Sequence, residues 1–205
     1  MTTDTNTTAP RFTVTLAALR KAGACYDGYN KLVRSLQGQP FTDEDTDRKS
    51  YILFRHDAEI PLLNILKSNG LDDALWSLRC VSGADRDIRL FAVWCARQVE
   101  HLMEDHRSKD ALNVAERFAN GDASDEELAA AWAAAWDAAW VAAWVAASAA
   151  WAAAGAAAGA AAGVAAWAAA RAARDARAAA REAQAEMFKR MCLGAAPWQQ
   201  EKAVA

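Results

Sequence analysis

This chain of 205 residues contains few prolines and few cysteines, and neither sign of charge is in large excess. It has four prolines, and none lies between Ser124 and Ala196, so nothing of that kind breaks a helix there. The four cysteines are far apart and fit no metal-binding or redox spacing. The net charge of −3 lacks the basic excess of a nucleic-acid binder, and we therefore expect no nucleic-acid partner.

Recognisable catalytic motifs are also missing. No phosphate loop, nucleophile elbow or dinucleotide fingerprint can be found in the sequence. His101 and His106 are five positions apart, which places them on different helix faces rather than together as a metal pair. Cys95 falls on an apolar helical stripe and is predicted to be a small core residue. The sequence therefore predicts a protein that is not an enzyme, with no catalytic, cofactor-binding or metal-binding residues.

Signals for secretion or membrane insertion are weak. Met1–Pro10 is rich in threonine and has no apolar segment of the kind found in a secretory signal. Ala138–Ala170 carries no charge and is long enough to span a bilayer, but it contains no leucine, isoleucine or phenylalanine. We expect a cytoplasmic protein with reduced thiols. A membrane-associated helical protein stays open as a second alternative.

Alanine dominates the chain from Ala129 to Arg181. Because alanine is the best helix former, the segment predicts a long helix. Tryptophans recur every four residues from Trp132 to Trp144, and glycines recur at the same step from Gly155 to Gly163. Each glycine within a helix costs about 1 kcal/mol relative to alanine, so we predict a bend near Gly155–Gly163.

Six tryptophans in this tract would leave a large apolar surface if water surrounded them. We therefore expect a compact helical bundle in which the indoles pack over the upstream helices. On this hypothesis Trp136→Ala and Trp140→Ala would each destabilise the fold by roughly 3–5 kcal/mol. Ser124 and Glu127 form a capping-box pattern that predicts the start of this helical segment.

The rest of the sequence predicts more helices, and the fold class expected is all-α. Apolar residues at three- and four-residue intervals predict a helix over Asp85–Asp105, and Ser108 is predicted to cap the next one. Asn120-Gly121 should end that helix. The predicted organisation is a disordered tail (1–12), a helical region (13–121), the Ala/Trp-rich region packed on it (122–193) and a C-terminal tail (194–205).

Four acidic residues lie close together between two apolar segments: Asp43, Glu44, Asp45 and Asp47. Such a cluster is typical of a solvated loop or of the start of a helix. An acidic surface can also steer a protein towards a basic partner. We take these four residues as the first candidates for a partner-binding contact.

Short motifs between Asp85 and Leu128 resemble a known family. The chain reads "RLFA", "CAR", "RS", "AL" and "VAER" at Arg89–Ala92, Cys95–Arg97, Arg107–Ser108, Ala111–Leu112 and Val114–Arg117. In this order, followed by alanine-rich sequence with Trp and Arg, the motifs resemble the immunity proteins associated with bacterial polymorphic toxins. The resemblance covers about Gly70 to Arg181. It implies a non-enzymatic, all-helical inhibitor that neutralises its cognate toxin by direct binding.

One other kind of inhibitor fits the same features. A phage-encoded anti-defence protein, which binds and blocks a host immune effector, would also be a small acidic binder. Both interpretations require a protein partner, either a toxin or a defence effector, and neither requires a cofactor. A homo-oligomer stays open as an arrangement of the chain.

Overall fold

The computed structural model describes residues 11–137 and 160–200, and in these ranges the chain is predominantly helical, as predicted. The helices are α1 (Leu16–Lys21), α2 (Tyr26–Leu36), α3 (Asp43–Thr46), α4 (Leu62–Asn69), α5 (Leu71–Ser77), α6 (Asp85–Arg97), α7 (His106–Asn120), α8 (125–137), α9 (Ala160–Cys192) and α10 (Pro197–Gln200). Two 3₁₀ turns cover Leu78–Cys80 and Glu100–Leu102, and two short strands are β1 (Thr13–Val14) and β2 (Ile60–Pro61).

The chain divides into two compact units whose boundaries differ from the predicted regions. The first unit comprises Met1–Asp85 together with Ala185–Ala205, and the second comprises Arg86–Gln184. The division falls within α9, where small and charged residues give way to bulky apolar ones. Phe188 and Met191 are completely buried. Burial of these side chains makes the end of α9 part of the first unit rather than part of the Ala/Trp-rich region.

The core of the first unit is built mainly by α2, α4 and α5. On α2 the buried residues are Tyr29, Asn30, Leu32 and Val33, and the three apolar ones follow the three- and four-residue spacing of one helix face. Leu62 and Ile65 are the buried residues of α4. α4 ends at Asn69-Gly70, where Gly70 has a φ of 97° and a side chain would be strained.

The strand pair is a small departure from the all-α expectation. β1 and β2 are antiparallel, with Thr13 opposite Pro61 and Val14 opposite Ile60. Phe12, just before β1, is buried, and its carbonyl accepts a hydrogen bond from the Leu62 N–H. The predicted disordered tail is therefore wrong at Phe12, because this aromatic side chain gains more from the core than from water.

Residues at the other end of the sequence also belong to the first unit's interior. The Arg11 N–H donates to the Cys192 carbonyl across 2.9 Å. Ala196 and Trp198 are buried, and α10 occupies part of the segment that was expected to be a tail. Apolar burial at these positions explains why the predicted boundary at residue 194 does not hold.

In the second unit two helix boundaries differ from the prediction and one agrees with it. α6 ends at Arg97 and is followed by a 3₁₀ turn, so the helix expected over Asp85–Asp105 is shorter. Asp105, rather than Ser108, caps α7: its carboxylate accepts from the Arg107 N–H at 2.8 Å. An ionised carboxylate is the stronger acceptor and also favours the helix's positive end. The predicted end at Asn120-Gly121 is confirmed by the left-handed conformation of Gly121.

The motifs that carried the family resemblance contact one another within this unit. Leu90 and Phe91 of "RLFA" are buried. The guanidinium of Arg89 lies over the Phe118 ring at 4.8 Å from the centroid. Arg97 of "CAR" pairs with Glu116 of "VAER" at 2.7 Å. These residues therefore act in folding α6 against α7.

The predicted bend near Gly155–Gly163 lies outside the described residues up to residue 159. From Ala160 onward the chain is helical, and Gly163 lies inside α9, which has 33 residues. A helix of this length extends about 50 Å. In the ranges that the structure describes, no helix is both long and apolar enough to cross a membrane.

Candidate functional site

The acidic cluster that the sequence offered as a partner contact is divided by the fold. Asp45 is only 2% exposed. Arg34 of α2 donates two hydrogen bonds to its carboxylate, from Nε to Oδ2 at 2.9 Å and from Nη2 to Oδ1 at 2.8 Å. The Arg34 hydrogen bond holds the pKa of the Asp45 carboxyl well below its usual range, at about 2. Asp45 also accepts weakly from Thr42 at the start of α3.

This geometry assigns Asp45 a structural role. A bidentate arginine–carboxylate pair uses both oxygens, which leaves little for an outside partner. Asp43, Glu44 and Asp47 remain exposed. The predicted contact is therefore reduced from four residues to three. No sequence pattern indicates that Arg34, eleven positions upstream, pairs with Asp45.

The start of α8 is fixed by the predicted capping box. The Ser124 N–H donates to Glu127 Oε2 at 2.9 Å, and the Glu127 N–H donates to Ser124 Oγ at 3.2 Å. Arg117 of α7 adds an ion pair to Glu127 at 2.9 Å and a hydrogen bond to the Asp122 carbonyl at 3.0 Å. The first turn of α8 is thus tied to the end of α7.

Two tryptophans of α8 lie on the surface of the second unit. Trp132 is 67% exposed and Trp136 is 61% exposed, and their ring centroids are 5.7 Å apart. The expectation that the tryptophans pack over upstream helices is wrong for these two. Trp140, Trp144 and Trp151 lie outside the described residues, as does the side chain of Trp167. We call Trp132 and Trp136 the indole pair.

Small residues, rather than tryptophans, form the less exposed face of α8. Leu128, Ala131 and Ala135 are half-buried, at positions i, i+3 and i+7. Alanine lets helix backbones approach closely, whereas an indole at the same position would hold them apart. Trp132 and Trp136 lie outside this half-buried face and are exposed. Exposed acids lie before and after the indole pair, at Asp125, Glu126 and Asp137.

A cavity of about 320 Å³ opens in the first unit, between α2, α4 and α5. Buried apolar side chains line part of it, and polar groups of Cys25, Asn69, Asp73 and Ser77 line the rest. Sequence reasoning missed these residues. The available signal was Gly28, which lies inside α2: a Cβ there would be 2.7 Å from Asp73 Oδ2. A glycine within a helix often marks such a close approach.

The histidines and cysteines were the candidates for catalysis. In residues 11–137 and 160–200, no three His, Cys, Asp or Glu side chains are grouped as metal ligands would be. His101 and His106 are both exposed. Burial raises the pKa of the Cys95 thiol, and it raises the pKa of Cys192 to about 12. These two thiols are therefore protonated at neutral pH and are poor nucleophiles.

Comparison with protein-family models, with curated proteins and with solved structures finds no significant match to this chain.

Proposed function

We propose that this chain is a non-enzymatic inhibitor that works by binding another protein, in the manner of the immunity proteins that its motifs resemble. The observation that supports this proposal is the indole pair. Two large apolar rings stand next to each other on an ordered helix, and neither is needed to fill the interior of the second unit. Tryptophan is among the residues that contribute most to protein–protein binding.

The area of the indole pair is large enough to matter for affinity. With Trp132 and Trp136 each about two-thirds exposed, covering both rings would be worth roughly 6 kcal/mol as an upper bound. Part of that gain is lost in ordering the two proteins. The remainder makes the indole pair the natural centre of an interface, in which a partner supplies an apolar recess.

The charge around the indole pair indicates the character of the partner. Asp125 and Glu126 lie before the indole pair and Asp137 lies directly after it, so exposed acids flank the pair on α8. Opposite charge accelerates encounter and selects partners more than it adds affinity. The expected partner is a toxin with basic residues around an apolar recess.

Co-expression with the captured partner tests this function. The chain is used to capture partners from its native host, and each captured protein is then expressed alone and together with the chain. We expect one of them to arrest growth alone and to be neutralised by the chain. The double variant Trp132→Ala/Trp136→Ala should lose this rescue while keeping its thermal stability.

Leu102→Ala is the matched control, because Leu102 is 69% exposed in the same unit but lies away from α8 in sequence. It should rescue growth as the unchanged chain does. Rescue by the tryptophan variant at full strength would contradict the proposal. Capture of a host defence component, whose activity the chain blocks, would instead favour the anti-defence alternative.

A further inference from the structure

The cavity of the first unit has an apolar interior. Its volume of about 320 Å³ lies at the lower end of the range for small-molecule sites. Leu19, Leu32 and Ile65 line it and are buried, and the ring of Trp76 lines it as well. A bound molecule therefore needs a compact apolar body.

The hydrogen-bond donors of Asn69 and Ser77, at the polar side of the cavity, are already in use. Asn69 Nδ2 donates to the Gly28 carbonyl and to Asp73 Oδ2, both at 2.7 Å. Ser77 Oγ donates to the Asp73 backbone carbonyl, also at 2.7 Å. What stays available from these groups is acceptor capacity, above all on the Asp73 carboxylate.

Asp73 is held in place without a cation. Asn69 anchors one of its oxygens, and the missing side chain of Gly28 makes room for it against α2. Among the described residues, no lysine, arginine or histidine forms an ion pair with this carboxylate. Two arginines that contact aromatic residues of the cavity wall have other partners: Arg20 donates to the Tyr29 hydroxyl, and Arg79 lies over the Trp76 ring.

We propose that this cavity binds a small primary amine with an apolar body, of the arylalkylamine class. The ammonium group donates to the Asp73 carboxylate, and the apolar part occupies the space bounded by Leu19, Leu32 and Ile65. A carboxylate at the edge of an apolar cavity favours a cation that brings its own hydrogen-bond donors. The site is separate from the indole pair, and it does not depend on the proposed inhibitor function.

Three probes of nearly equal shape separate charge recognition from simple apolar filling. Titration calorimetry of the full chain is carried out with 2-phenylethylamine, 2-phenylethanol and 3-phenylpropionate. We expect the amine to bind roughly 10-fold to 100-fold more tightly than the alcohol, which is the usual effect of a hydrogen bond to a charged group. The carboxylate probe should bind more weakly than the alcohol, because it meets Asp73 with like charge.

Cys25 reports where the amine binds. Its thiol is exposed and lines the cavity. Saturating 2-phenylethylamine should slow alkylation of Cys25 by iodoacetamide severalfold, as followed by peptide mass spectrometry, while 3-phenylpropionate at the same concentration should not. Alkylation of Cys80, which does not line this cavity, is the internal control.

Two substitutions test whether the Asp73 carboxylate is the group that recognises the amine. Asp73→Asn should remove the preference for amine over alcohol, whereas Asp27→Asn, an exposed acid on α2 outside the cavity, should keep it. The wild-type series remains decisive if Asp73→Asn fails to fold. Equal binding of the three probes, tightest binding of the carboxylate, or no binding of the amine would each overturn the proposal. Amine binding without protection of Cys25 would overturn it too, since the amine would then bind elsewhere.

Discussion

At the scale of single residues, Asp45 shows how one contact changes the meaning of a charged cluster. The sequence offers the Asp45 carboxylate as a partner contact, but in the fold it forms an ion pair with Arg34 that links α3 to α2. Its pKa of about 2 in the folded chain lies below the ordinary value of an unfolded aspartate, near 3.9. A group of this kind stabilises the fold above the unfolded pKa, and this stabilisation is lost as the pH falls towards the folded pKa.

Asp45→Asn should therefore change how stability depends on pH. We expect the variant to be less stable than the unchanged chain at pH 7, and we expect the difference to shrink as the pH falls from about 4 to 2. Urea denaturation followed by circular dichroism at several pH values measures this. Asp43→Asn, in the same cluster but exposed, is the control and should follow the unchanged chain. A difference that stays constant down to pH 2 would contradict the assignment of the ion pair.

Trp136 is a second residue whose role differs from its first interpretation. Because its ring is mostly exposed, we expect Trp136→Ala to change the free energy of unfolding by less than about 1 kcal/mol, instead of the 3–5 kcal/mol predicted for a buried indole. Urea denaturation of the purified variant gives this value. A loss of several kcal/mol would mean that the ring fills the interior of the second unit and is not free for a partner.

At the scale of elements, the start of α8 depends on a local signal. Ser124→Ala removes the hydroxyl that accepts from the Glu127 N–H, and we expect a loss of about 1 kcal/mol. Ser124→Thr retains the hydroxyl and should keep most of the stability. Chemical denaturation of both variants gives the two values. If Ser124→Thr lost as much as Ser124→Ala, the capping box would not be what stabilises this turn.

Elements set by local chemistry were the ones that the sequence predicted well. The capping box at Ser124, the glycine end at Gly121 and the helical character of the described residues follow from hydrogen bonds and backbone geometry within a few residues. Asp105 in place of Ser108 as the cap of α7 shows the limit of such signals. Asp105 and Ser108 are both residue types that cap helices, and Asp105 also forms an ion pair with Arg107.

Which face of an element turns inward could not be predicted, because it depends on distant residues. On α8, Leu128, Ala131 and Ala135 are half-buried, whereas Trp132 and Trp136 are exposed. The cavity in the first unit likewise needs Gly28, Asn69 and Asp73, which only the fold brings together. A tryptophan at every fourth position predicts an apolar stripe along a helix, but it does not predict which residues pack against that stripe.

At the scale of the whole molecule, the first unit is built from two distant parts of the chain. Phe188 is completely buried, so Phe188→Ala should destabilise by roughly 3–5 kcal/mol. Arg177→Ala, an exposed position on the same helix, should have an effect within about 0.5 kcal/mol. Thermal and urea denaturation of the two variants test this. Equal stabilities would contradict the place of the α9 end in the first unit's interior.

This arrangement sets an order of events during translation. The ribosome must make the whole of Arg86–Gln184 before the segment that supplies Phe188, Met191 and Trp198 can emerge. At about 5–20 residues per second, the nascent first unit waits several seconds with part of its apolar interior uncovered. During this interval chaperones can bind the uncovered apolar side chains. A messenger RNA truncated within the alanine codons would yield a polypeptide whose N-terminal helices never acquire Phe188, Met191 and Trp198.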